Sequence, residues 1–176
     1  MTNDVEMVLR AASFAAMKHR DQRRKDQAAT PYINHPLALA TILASEGGVP
    51  DPATLAAALL HDTIEDTETT EGELAQAFGP EVAGLVAEVT DDKAIPKVDR
   101  KRLQVEHAAH LSPKAKLVKL ADKIANLRDV AQSPPVGWPL QRRRDYFDWA
   151  RSVIDRLRGV DARLEALFDV ACAARP

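Results

Sequence analysis

At 176 residues, 45% hydrophobic and 28% charged, the chain suits one globular core, and its net charge of −2 argues against a protein that coats DNA or RNA. Its one cysteine, Cys172, excludes an internal disulfide, and without a CxxC pattern there is no thiolate zinc site. The longest apolar run, Ala53 to Leu60, falls far short of the ~20 residues that span a bilayer, and the charged N-terminus (Asp4, Glu6, Arg10, Lys18) lacks a signal-peptide core, so a cytoplasmic location is expected.

Val5, Val8, Leu9, Ala12, Ala15, Ala16 and His19 recur at three- and four-residue intervals, which predicts an amphipathic helix over residues 4–20. The polar, basic stretch 21–30 reads as a loop. Pro36 suits the first turn of a helix running to about Glu46 and closed by Gly47-Gly48. Asp51-Pro52 opens a second helix that continues through His61 and Asp62. Thr70 and Glu73 form a capping box for a short helix ending at Gly79-Pro80, and residues 81–90 are helical again. Asp99 is expected to cap a helix to about His110, and Ser112-Pro113 opens a strong one over 114–131. Residues 132–139 hold three prolines and a glycine and form a loop. Helices over 140–157 and 160–173 complete the chain. No stretch alternates β-branched residues with period two, and neither a repeat nor a linker divides the sequence. The expectation is an all-α fold of roughly eight or nine helices, one domain over residues 1–176.

The segment His61-Asp62-Thr63-Ile64-Glu65-Asp66 sets one imidazole and three carboxylates directly after the apolar run, so its helix carries them inward. Unpaired buried charges are costly, and a cation is the simplest compensation. Glu65 stands four residues from His61 and three from Asp62, which predicts one shared helical wall. Further ligands are found in His35, between Pro31 and Pro36, and in Asp122. The latter makes an i,i+4 polar pair with Asn126 beside the apolar face Leu117, Leu120, Ile124 and Leu127. Nitrogen and hard oxygen donors without sulfur suit Mn²⁺, Fe²⁺ or Co²⁺ better than structural Zn²⁺. Each member alone has an ordinary explanation: Asp122 can pair with Lys119 or Lys123, and His35 can be a capped loop residue. The ordered set His, His-Asp, Asp on apolar helices carries the metal reading. Basic side chains form a second constellation: Arg20, Arg23, Arg24 and Lys25 before His35, then Lys93, Lys97 and Arg100 to Arg102, then Lys116, Lys119 and Lys123. Solvated surface is the ordinary reading, and the expected one for Arg100 to Arg102. Beside a divalent cation, however, a few such residues clamp phosphate, Arg bidentately.

The segments Tyr32-Ile33-Asn34-His35-Pro36, His61-Asp62-Thr63-Ile64-Glu65-Asp66-Thr67, Val89-Thr90-Asp91-Asp92-Lys93 and Lys119 to Arg128 resemble the HD-type hydrolase domain of RelA/SpoT homologues. The likeness is greatest to the small stand-alone alarmone hydrolases and runs from about Ala12 to Leu167. The resemblance implies hydrolysis of the 3′-pyrophosphate of guanosine tetra- or pentaphosphate to GDP or GTP and pyrophosphate, with Mn²⁺ as the metal. It implies His35, His61, Asp62 and Asp122 as ligands, and Glu65 and Asp66 as the pair that positions and activates water. Arg24, Lys25, Asn126, Lys97 and Tyr146 correspond to substrate positions; the loop at Pro134-Pro135 has no counterpart role. An alternative substrate is another nucleotide, such as the 2′-phosphate of NADPH or a deoxynucleotide. A non-catalytic nucleotide sensor is the third reading, disfavoured because both the ligand set and the acidic pair are retained.

Overall fold

The structure is a computed structural model describing residues 3–176. Among these residues it contains ten α-helices and no sheet; an isolated bridge between Arg23 and Pro31 is the one extended pairing. The helices are α1 (Asp4–Lys18), α2 (Asn34–Thr41), α3 (Pro52–Leu60), α4 (Thr63–Asp66), α5 (Glu71–Phe78), α6 (Pro80–Val89), α7 (Lys97–His107), α8 (Pro113–Gln132), α9 (Leu140–Ile154) and α10 (Ala162–Ala173). One of them, α4, is a single turn. No described helix is long and apolar enough to cross a membrane.

Local signals set most boundaries. Side chains of Asn3, Asp51, Thr70, Ser112 and Asp161 accept bonds from first-turn amides, and proline occupies the first turn of α3, α6 and α8. The helix through Pro36 begins earlier than its proline, at Asn34, and its last part, Ile42–Gly47, relaxes into a π-helical turn. It stops at Gly48, whose φ of 72° is the left-handed conformation that glycine adopts without a Cβ penalty. Two expectations need correction. Helix α3 ends at Leu60 rather than running through Asp62; His61 and Asp62 form a turn, with the Thr63 hydroxyl donating to Leu60 O at 2.7 Å. Helix α7 begins at Lys97, so Asp99 lies in its first turn and caps nothing.

The core is organised on α3, where seven of nine residues are buried. Its alanines, Ala56 to Ala58, are fully buried and permit close approach of α1, α2, α6 and α8. Leu39 and Leu43 come from the α2 side, Leu120, Ile124 and Leu127 from α8, Phe147 and Ile154 from α9, and Phe168 from α10. Helix α7 buries none of its residues and rests mainly on α9. The C-terminal end of α3, the start of α2 and the middle of α8 therefore meet at one point, with α7 and α9 forming a wall beside it.

Candidate metal centre and active site

At that point His35, His61 and Asp62 each direct a ligand atom so that all lie within 4.8 Å of one another. Asp122 joins them: its Oδ1 is 3.2 Å from His35 Nε2 and 3.9 Å from His61 Nε2. His61 Nε2 is 2.9 Å from Asp62 Oδ2. Both imidazoles are buried, at 4% and 6% exposure. His61 Nδ1 donates to Ala58 O at 2.8 Å, which fixes the tautomer and leaves the Nε2 lone pair facing the carboxylates; that atom makes no hydrogen bond. A buried imidazole nitrogen with no hydrogen-bond partner, set between two carboxylates, is a donor set that fits a divalent metal.

The field of the cluster agrees. Burial pushes the Asp62 and Asp122 carboxyls up, but His61 beside Asp62, and Lys123 and His35 beside Asp122, hold both below the usual carboxylate range. Burial lowers His35 and would lower His61, yet for His61 the Asp62 and Asp122 carboxylates outweigh it. Positive charge is thus favoured at the place where the ligand atoms converge. Asp122 is also held by Asn126 Nδ2 at 2.6 Å and Lys123 Nζ at 3.0 Å, so the ordinary pairing considered for it exists alongside the cluster. Tyr32, whose phenol burial keeps protonated, donates to Asp62.

One cleft reaches this centre at His35, and a second shares Trp138 and Tyr146 with it. The first, of about 510 Å³, is lined by Arg24, Lys25, Asn126, His35, Asp66 and Tyr146 among others. The second, of about 290 Å³, is lined by Glu65, Lys97 and again Tyr146. The structure therefore brings every substrate-site candidate to one of two adjoining cavities, with Tyr146 and Trp138 as the ridge between them. Glu65 and Asp66, neighbours in the single turn α4 whose side chains diverge by about 100°, line different clefts, Asp66 the first and Glu65 the second. Burial, then the neighbouring Asp62 and Asp91 carboxylates, push Glu65 up to about 7. Asp66 pairs with Lys93, and its carbonyl accepts from Gln22 Nε2 at 2.8 Å. Arg24 reaches Asn126 Oδ1 at 3.3 Å and pairs with Asp129. A larger concavity, about 650 Å³, lies between α1 and α5, shallow and far from the histidines.

Several residues gain a place that the sequence pattern does not assign. Arg100 and Lys101 face the second cleft rather than solvent; only Arg102, exposed and paired with Glu106, behaves as expected of the group. Lys119 is buried and donates to Val89 O at 3.3 Å, beside a small cavity behind the ligands. The loop at Pro134-Pro135 docks on the basic segment, Val136 N donating to Lys25 O at 2.8 Å, and delivers Trp138 to both clefts. The i,i+4 pair Arg142 and Tyr146, following a tryptophan, is the signal that points to this wall.

An all-α fold that gathers two histidines and two aspartates from α2, α8 and the turn after α3 is that of an HD-domain protein, and the chain belongs to the HD-domain family, which matches residues 11–144. It is 57% identical, over 96% of this chain and 94% of the relative, to guanosine-3′,5′-bis(diphosphate) 3′-pyrophosphohydrolase MESH1 of Xenopus tropicalis. The same enzyme of Homo sapiens is 56% identical over 94% of this chain and 92% of its own. Among solved structures, a metazoan orthologue of SpoT that hydrolyzes ppGpp is similar at a TM-score of 0.93 and 50% identity, covering 96% of this chain and 95% of that one.

Proposed function

We propose that this protein is a metal-dependent hydrolase acting on the 3′-pyrophosphate of guanosine tetra- or pentaphosphate, with residues 1–176 as its single hydrolase domain. The observation that carries the reading is the convergence of His35, His61, Asp62 and Asp122 beside cationic clefts that Glu65 and Asp66 also line. The printed activity of relatives more than half identical to the chain supports the same substrate. These four residues are the proposed ligands, and a nitrogen and hard-oxygen set without sulfur favours Mn²⁺. When bound, such an ion supplies Lewis acidity and brings the pKa of a coordinated water towards neutrality.

The chain's own groups do the rest. Glu65, raised to about 7, accepts or orients a water proton near neutral pH. Asp66, tied by Gln22 and Lys93, holds the water from the other side. Arg24, steadied by Asn126 and Asp129, and Lys25 meet the charge on the phosphoryl oxygens, while Lys97 and Tyr146 bound the nucleotide. Burial pushes the Tyr146 phenol up to about 12, so it remains a neutral donor. A cytoplasmic location accords with the free, buried thiol of Cys172.

The test is incubation with Mn²⁺ and guanosine tetraphosphate, with NADPH and deoxynucleotides as competing substrates, followed by product analysis. GDP and pyrophosphate are expected. Asp62→Ala is expected to lose the metal, whereas Glu65→Ala keeps it and loses most turnover. An active, metal-free Asp62→Ala protein would falsify the site assignment.

A further inference from the structure

The second cleft holds more positive charge than the proposed chemistry uses. Besides Lys97, its walls carry Arg100 and Lys101 from α7 and Arg142 from α9. None of these four cations makes an ion pair within 4.0 Å among the described residues, whereas Arg24 pairs with Asp129 and Lys123 with Asp122. The carboxylates nearby are engaged otherwise: Glu65 accepts from Asp91 N at 3.3 Å, Asp91 from Gln104, and Asp145 from Gln141 at 2.8 Å. Two of the four, Lys101 and Arg142, are instead held over aromatic faces. Lys101 Nζ lies 4.7 Å from the Trp149 ring centre and 5.7 Å from that of Tyr146, and the Arg142 guanidinium lies 4.4 Å from Trp138. Such contacts hold the heads in place and leave their hydrogen-bond donors free.

Unpaired like charges gathered in a concavity repel one another. Burial first, then the other cations, depress Lys97 and Lys101, and Lys25 of the first cleft is among those acting on Lys97. A polyanion relieves this repulsion and two or more Arg and Lys heads can grip its oxygens. The cleft shares Trp138 and Tyr146 with the first one, and Glu65 is among its lining residues. A nucleotide with phosphate groups on both the 3′ and 5′ sides of its ribose has two anionic arms and would place one in each cleft.

We propose that Arg100, Lys101 and Arg142 bind the 5′-phosphate arm of the nucleotide and set the preference for substrates charged at both ends. This rests on the hydrolase reading above, and the experiment separates the two. KM and kcat are measured for guanosine tetraphosphate and for guanosine 3′-diphosphate, which lacks the 5′ arm. In an Arg100→Gln, Arg142→Gln double variant, KM for the tetraphosphate rises about tenfold or more, while KM for the 3′-diphosphate and both kcat values stay within about twofold. Arg102→Gln, on the solvent side of α7, changes neither. A KM rise of the same size for both substrates would overturn the assignment. Binding without turnover gives a second reading, because the two tryptophans of the chain, Trp138 and Trp149, both line this cleft. Titrating the metal-free protein with inorganic pyrophosphate should perturb tryptophan emission, with affinity about tenfold weaker in the double variant. Unchanged affinity in the variant, or no binding by the wild type, refutes the anion site. If neither nucleotide is hydrolysed the hydrolase reading falls, and the titration alone decides the cleft.

Discussion

Lys123→Met tests the charge balance of the ligand cluster. Lys123 is 3% exposed, with Nζ 3.0 Å from Asp122 Oδ2 and 4.5 Å from the Trp149 ring centre. Burial works against its charge, but Asp122 outweighs that and holds the ammonium above its ordinary pKa. Methionine keeps the apolar stem and its packing on the indole, so the substitution removes mainly the compensation of a buried carboxylate. Two unit charges at this separation attract by about 5 kcal/mol at an effective dielectric near 20. Breaking a buried pair costs about 3–5 kcal/mol in measured cases. Asp122 still has Asn126 and His35 as hydrogen-bond partners, which argues for the lower end, about 3 kcal/mol. For a chain of this length that corresponds to a fall in Tm of about 6–12 °C in EDTA. A divalent ion replaces the missing positive charge and is itself repelled by Lys123. With saturating Mn²⁺ the loss should therefore shrink to a few degrees, and the Mn²⁺-induced rise in Tm should be larger in the variant than in the wild type. Calorimetric melts of both proteins in both buffers supply the four values. Equal losses with and without Mn²⁺ would refute the reasoning, since they would mean that lysine and metal do not compensate the same carboxylate.

Two further outcomes follow from the same structure. Glu65 is raised from 4.5 to about 7 by burial and by Asp62 and Asp91, so the fold holds its proton more tightly than the unfolded chain does. A raised carboxyl contributes stability that is present below the unfolded pKa and is lost as pH rises through the folded one. In metal-free protein, the stability of Glu65→Gln relative to wild type should therefore grow between about pH 5 and about pH 8, read as urea midpoints; a pH-independent difference counts against the raised value. Phe147, 2% exposed where α9 meets the core, should lose about 3–5 kcal/mol on truncation to Ala, visible as an earlier denaturant midpoint. A loss below about 1 kcal/mol would mean that α9 is not anchored through this ring.

The all-α class, the capped starts of α3, α5 and α8 and the four clustered residues proposed as ligands are readable from sequence alone, because their causes lie within a few residues. A Ser, Thr or Asp side chain meets an amide two or three positions on, and an aspartate or histidine that interrupts an apolar helix stands out against its neighbours. The break after Leu60 is different. Spacing alone continues the helix through Asp62, whereas the chain turns at His61 and Asp62 before the short helix α4 carries Glu65 and Asp66. Arg100 and Lys101 look like solvated surface on a polar helix, and nothing within α7 says otherwise. Their inward face exists because α9 lies alongside and presents Arg142, Tyr146 and Trp149 to them. Local pattern specified most of the helices and the residue types that converge beside the end of α3, since periodicity and capping act over a few residues. Only the tertiary structure decided which acid faces which cleft and which cations stand together, since both depend on how distant helices are laid side by side.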